Sequence, residues 1–444
     1  MTQISFVASS ARDTTAIGSN PARLLNLYHE PVETGGRTAN ILRPAYGMGE
    51  FAQLDGVFVR DLIEYDGFLY AILPGGFYRV RSDGAVLLGT TALGETATLS
   101  RNLNAVTACI GGAYYVWDTA GVSLSSPSGG AVTDVAWVEY LAGRTIRGEV
   151  GTGKFDWSDI ADPSTFDGLN VATAEAREDE TIRGIVAGNL LYLMGRKTTE
   201  IWQASGLGGA NAFQPLGVVV DRGLKSFGLV CIADGAVFAI GDDDIAYIIA
   251  GNNAAPVSSP AVISAVRDGQ PESCMFWEER GHKFCAITFF DRPTWVYDLS
   301  TRVWWERCEG PERQPWRGRV AAKLGDWIVG GADGGLYTLT PIATDAGAVL
   351  YREATSYALD REGWFTIAEL EFKTSAGFES GEIAVEIGDG VTFRRPRIVP
   401  LPAVGKYDGK TKIRRLGRHK LAVARISMTG PALSIFADCN VVVA

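Results

Sequence analysis

Three stretches of this chain carry residue types at spacings that could do chemistry. The first is Gly148-Glu149-Val150-Gly151-Thr152-Gly153-Lys154-Phe155, which follows a phosphate-binding loop as far as the lysine. The hydroxyl that would reach magnesium is replaced by Phe155. Asp162-Pro163 then interrupts the helix whose N-terminus a phosphate needs, so a β-hairpin fits better. The second is Asp242-Asp243-Asp244. A calcium loop alternates its oxygen ligands and ends on a distal Glu, and this run does neither. It lies between the apolar phrases Phe238-Ala239-Ile240 and Ile245-Ala246-Tyr247, where a polar hairpin turn is expected. The third is aromatic: Trp304-Trp305, with Trp295, Tyr297 and Trp316 nearby, could form a carbohydrate platform. Aromatic residues at alternate strand positions read instead as packing side chains.

Other site chemistry has little support. The three histidines, His29, His282 and His419, are far apart, and none has a second ligand at metal spacing. No Gly-x-Ser-x-Gly marks a nucleophile elbow. His419, between Arg418 and Lys420, reads as part of a solvated basic edge. No catalytic residue, metal or cofactor is expected, and the chain is not read as an enzyme.

One surface feature rises above background. Between Arg394 and Arg425 stand eleven Lys or Arg against a single acid, Asp408, in a chain of net charge −10. That local excess of ten leaves about twenty negative charges on the remainder, a division typical of an interaction surface. The candidate residues are Arg394, Arg395, Arg397, Lys412, Arg414, Arg415, Arg418 and Lys420, flanked by Lys406 and Lys410. A solvated strand face, contact with DNA phosphates and contact with an acidic neighbouring subunit all remain open. Only Phe393 and Tyr407 lie among them, too few stacking rings for ordinary single-strand binding.

The elements that must carry these residues are strands. Gly is abundant, at 53 of 444 residues, and separates short aromatic and β-branched runs. From about Leu62 to Thr340 a unit of apolar strand, Gly or Asp turn and second strand recurs every 40 to 55 residues or so, the period of β-propeller blades. Radial packing covers faces and edges that an isolated small sheet would expose. After Pro341 the alternation becomes more regular: 365–372, 382–387, 392–399, 420–427 and 433–443 read as five strands of an antiparallel sandwich or barrel. The expected fold is all-β: a propeller of six or seven blades over 51–345, a C-terminal β-domain over 346–444, and an extended N-terminal arm over 1–50 that docks on that domain or on a neighbour. No apolar run reaches membrane-spanning length, and the polar N-terminus is unlike a secretory signal. The six scattered cysteines read as buried free thiols made in a reducing cytoplasm.

Several phrases resemble, in order, the packaged-DNA stabilisation proteins of short-tailed bacteriophages, the tail hub or nozzle. They are Asn20 to Tyr28, Leu42-Arg43-Pro44 before Tyr46-Gly47, Trp157-Ser158-Asp159, Asp162 to Asp167, Thr199-Glu200-Ile201-Trp202 with Ser205-Gly206, Val218 to Gly228, and the basic turn Lys412 to Gly417. The resemblance implies a structural protein of the virion tail, assembled in the bacterial host cytoplasm. It implies a homo-oligomer, expected as a hexamer, docked on the tail adaptor below the portal. There it would extend and close the channel for double-stranded DNA, retain the genome, and support tail fibres or spikes and a terminal needle or plug. Tight phosphate binding would hold DNA during ejection, so Arg414, Arg415 and Arg418 are expected to face an acidic subunit or adaptor. The alternatives are a propeller glycosidase or lyase, and a receptor-binding propeller. The enzyme would require acids at equivalent positions of several blades converging on the axis, and no such register is legible.

Overall fold

The computed structural model describes residues 2–4, 22–34, 37–175, 177–374, 379–407, 411–430 and 436–443. Seven four-stranded antiparallel meanders form a ring: 61–89, 97–125, 135–173, 181–220, 230–256, 271–309, and 318–340 joined by Gly47–Gln53. They are numbered here as blades 1 to 7. Their first strands touch in ring order, from blade 1 round to blade 7 and back to blade 1. Six blades stand as separate sheets, while blade 6 heads a fifteen-stranded sheet that continues into the C-terminal β-domain.

Local chemistry sets the blades. The first hairpins of blades 1, 3, 5 and 6 turn on Asp66-Gly67, Ala142-Gly143, Asp234-Gly235 and Arg280-Gly281, with both residues at positive φ. These are the tight turns whose twist matches the flanking strands, and glycine takes the second position in each. Side chains on both faces of the inner strands are buried against neighbouring blades. Trp137, on blade 3, is 1 % exposed. A Cβ on Gly148 would lie 2.0 Å from its indole, and one on Gly184 of blade 4 would lie 2.5 Å from it. The first glycine of the apparent phosphate loop is thus a packing requirement of a tryptophan.

The ring closes with a strand from the other end of the chain. Gly47–Gln53 pairs antiparallel with Gly335–Thr340, Gly47 opposite Thr340 and Gln53 opposite Gly335. The division at residue 50/51 falls inside this closing strand. Upstream, Arg23–Leu25 lies between Val303–Glu309 of blade 6 and Arg352–Thr355, covering an edge that would otherwise be open. A hairpin of Leu27–Thr34 and Arg37–Pro44 then reaches Phe436–Val443. One core runs through the junction, with Leu24, Tyr28, Trp277, Phe284, Trp305 and Trp316 continuous with Ile367, Ile383, Ile413 and Ile426.

Two details depart from the sequence reading. The helix Pro260–Asp268, which it lacked, packs Val262 and Val266 between blades 5 and 6; Ser259 caps it and Pro260 starts it. The basic phrase 412–417 is not a turn but part of a long strand, Thr411–Met428, paired with Leu359–Thr374. Arg415 at φ 60° and Gly417 at φ 93° let the strand bulge there instead of reversing.

Candidate functional site

The basic residues gather on the first half of Thr411–Met428 and beside it. Lys412 lies 2.8 Å from Glu369 and 2.7 Å from Glu371, and Arg414 lies 2.6 Å from Glu369. The cross-strand register dictates these pairs, because Glu369 faces Arg414 and Glu371 faces Lys412. Hydrogen bonds from Lys412 and Arg414 hold the Glu369 carboxyl below the usual carboxylate range. Arg397 donates to the Arg414 carbonyl at 2.7 Å, and Arg394 to the Leu416 carbonyl at 3.4 Å. Arg395 and Arg415 are exposed, with no acidic partner among the described residues. Arg418 and Lys420 flank Trp364, with the guanidinium carbon 5.3 Å and the ammonium 5.4 Å from the ring. His419 is not on a solvated edge. Alternation turns it inward, where it is buried against Phe365 and bonds the Leu416 carbonyl at 3.0 Å. Lys410 lies outside the described residues.

The structure also brings together a second set that sequence reasoning missed. On the propeller axis lies a cavity of about 840 Å³, reached by all seven blades. Asp61, Glu95, Glu139 and Glu272 line it with Arg60, Arg183 and Arg319. Asp61 accepts the Leu99 N–H at 2.7 Å and so ties blade 1 to blade 2. Glu272 sits between Arg319, with which it pairs closely, and Arg60, 3.8 Å away. Arg183 donates to the Phe227 carbonyl at 3.2 Å. Burial pushes the Glu139 carboxyl up to about 8, with Arg183 pulling the other way. Asp61, Glu139 and Glu272 hold the first, fifth and second positions of their strands and Glu95 precedes one, which is why no register betrayed them.

The decoy motifs resolve into structure. Gly148 to Phe155 forms a hairpin, with Lys154 2.7 Å from Glu149. Asp242, Asp243 and Asp244 make the turn between Ala236–Ile240 and Ala246–Ala250, where Lys197, Tyr247 and Lys225 meet them at 2.8, 2.7 and 2.5 Å. Trp304 and Trp305 are buried on opposite faces of blade 6, and Trp316 lies under the Arg307 guanidinium at 4.1 Å. His282 is buried 2.6 Å from Asp298. Cys109, Cys231, Cys274, Cys285 and Cys308 are free thiols.

No curated protein matches the sequence. Among solved structures, a chain of a mitotic checkpoint complex is 12 % identical, covering 66 % of this chain and 93 % of that one at a TM-score of 0.47. The Cps50 (Swd1) β-propeller domain of Myceliophteria thermophila is also 12 % identical, covering 66 % of this chain and all of that one at 0.45. At that level neither carries an argument. The family model described as "Bacteriophage P22 Gp10, beta-propeller" matches residues 16–343, most of the arm and the whole blade ring. With that match over about three-quarters of its length, the chain belongs to the phage stabilisation family of P22 Gp10, the packaged-DNA stabilisation and tail proteins.

Proposed function

We propose that the chain is a tail nozzle that docks on the portal–adaptor assembly as a cyclic homo-oligomer, expected as a hexamer. It extends and closes the DNA channel, retains the packaged genome and carries fibres or spikes. The observation that carries this reading is the family match across 16–343, which spans most of the arm and the complete blade ring. The arm latch and the closing strand support it, because both suit a part that bears load. Assembly belongs in the host cytoplasm, and the role is mechanical, without turnover.

An enzymatic reading draws on the axial carboxylates. Acid–base chemistry on a glycoside needs two carboxyls set across one bond. Here the acids come from different blades, and Glu272 is already engaged by arginines. Electron microscopy of purified tails tests the nozzle reading. A ring of this chain below the adaptor is the expected outcome; its absence from particles, or hydrolysis of a glycan at ordinary enzymatic rates, would overturn it.

A further inference from the structure

The chain carries a second charge concentration, opposite in sign to the basic strand. Residues 149–180 hold nine acids and two bases; of the acids, Asp156 is buried against Arg147 and Glu149 pairs with Lys154. Glu175, Glu178 and Glu180, between blades 3 and 4, are exposed. Beside them a groove of about 390 Å³ is lined by Glu175, Trp202, Pro215 and Val218.

The basic face has matching parts. Trp364 is 56 % exposed, unusual for an indole, and is framed by Arg418 and Lys420. Arg395 and Arg415 are also exposed, without an acidic partner among the described residues. An aromatic anchor ringed by charge is the usual composition of an interface hot spot.

The two faces cannot meet within one molecule. The C-terminal domain is joined to the ring at blade 6, while the 174–180 link lies across the ring, between blades 3 and 4. We infer that the basic face around Trp364 of one copy docks on the acidic groove between blades 3 and 4 of a second copy. Such a contact is heterologous, so it repeats head to tail and closes into a ring when the rotation allows. This rests on the nozzle reading for its biological setting, but the contact itself does not depend on that reading. Part of the surface charge stays within the molecule: Glu180 lies 2.9 Å from Arg196, and Arg177 lies 3.9 Å from Asp221. The contact is therefore weak and salt-sensitive.

The test uses the full chain at high concentration and low salt in sedimentation velocity. One variant reverses the basic face (R415E/R418E/K420E), and another the acidic face (E175K/E178K/E180K). Wild-type protein is expected to associate, and added salt should reverse this. Each variant alone should stay monomeric. An equimolar mixture of the two should associate again, since each retains the face the other lacks; this also shows that both are folded. W364A should weaken wild-type association about tenfold or more. A mixture that stays monomeric, wild-type protein monomeric throughout, or association indifferent to both reversals would overturn the inference. Association of the mixture, with no incorporation of wild-type protein into tails, would leave the inference standing and undo the nozzle reading.

Discussion

Gly148 shows how a single residue separates chemistry from packing. Its sequence context suggests a phosphate loop, yet the Trp137 indole occupies the place of any side chain there. G148A is expected to destabilise the fold by about 1–3 kcal/mol, the cost of overpacking a filled core, measured as a lower urea midpoint at unchanged slope. Buried acids make a second residue-scale prediction. Burial lifts Glu279, 2 % exposed, to about 6 against the opposing Arg307, and lifts Glu139 to about 8. Both folded values lie above the unfolded one. Their stabilising effect is therefore full below about pH 4.5 and is lost as pH rises through the folded values. The urea midpoint should fall between pH 5 and pH 8. E279Q should reduce the fall below about pH 6, by about 2 kcal/mol, and E139Q should reduce it across the whole span up to about pH 8. A midpoint that is flat over this range in wild-type protein would contradict both assignments.

At the scale of elements, the arm strand Arg23–Leu25 is the latch between propeller and terminal domain. Arg23 reaches Glu306 at 2.5 Å, Arg313 reaches Glu353 at 2.5 Å, and Asn26 bonds the carbonyls of Cys308 and Tyr351 at 2.9 and 2.6 Å. Removing one partner of a buried pair leaves the other charge uncompensated, at a cost of about 3–5 kcal/mol. R23A is expected to expose the segment near residue 310 to limited proteolysis while the blades stay resistant. Equal cleavage in variant and wild type would show that the latch holds nothing. Much of this level was legible in sequence. Repeated strand-and-glycine units gave away the blades because a two-residue turn at positive φ demands glycine, as at Gly67 and Gly143. The helix at Pro260 had its cap, its proline and its apolar face in plain view, but the surrounding strand rhythm masked it. The strand through Lys412 to Gly417 was read as a turn because a bulge uses the same residues as a reversal. The axial set of Asp61, Glu139, Arg183 and Glu272 was hidden because the side chains come from separate blades, which only the closed ring brings together.

For the whole molecule, the arrangement is a blade ring closed by Gly47–Gln53 and latched to a second β-domain, with one core through the junction. The axial cavity is lined by charges of both signs, with Glu272 held by Arg319 and Arg60. The claim that most needs testing is that this assembly holds the genome in place by being present, without turnover. DNA retention in filled particles measures it directly: heads with portal and adaptor are incubated with and without the added full-length chain, and nuclease-accessible DNA is followed over time. Particles lacking the chain should release their DNA, and retention should be restored in proportion to the chain bound, saturating at a fixed number of copies per particle. Particles that keep their DNA equally well without it would contradict the account.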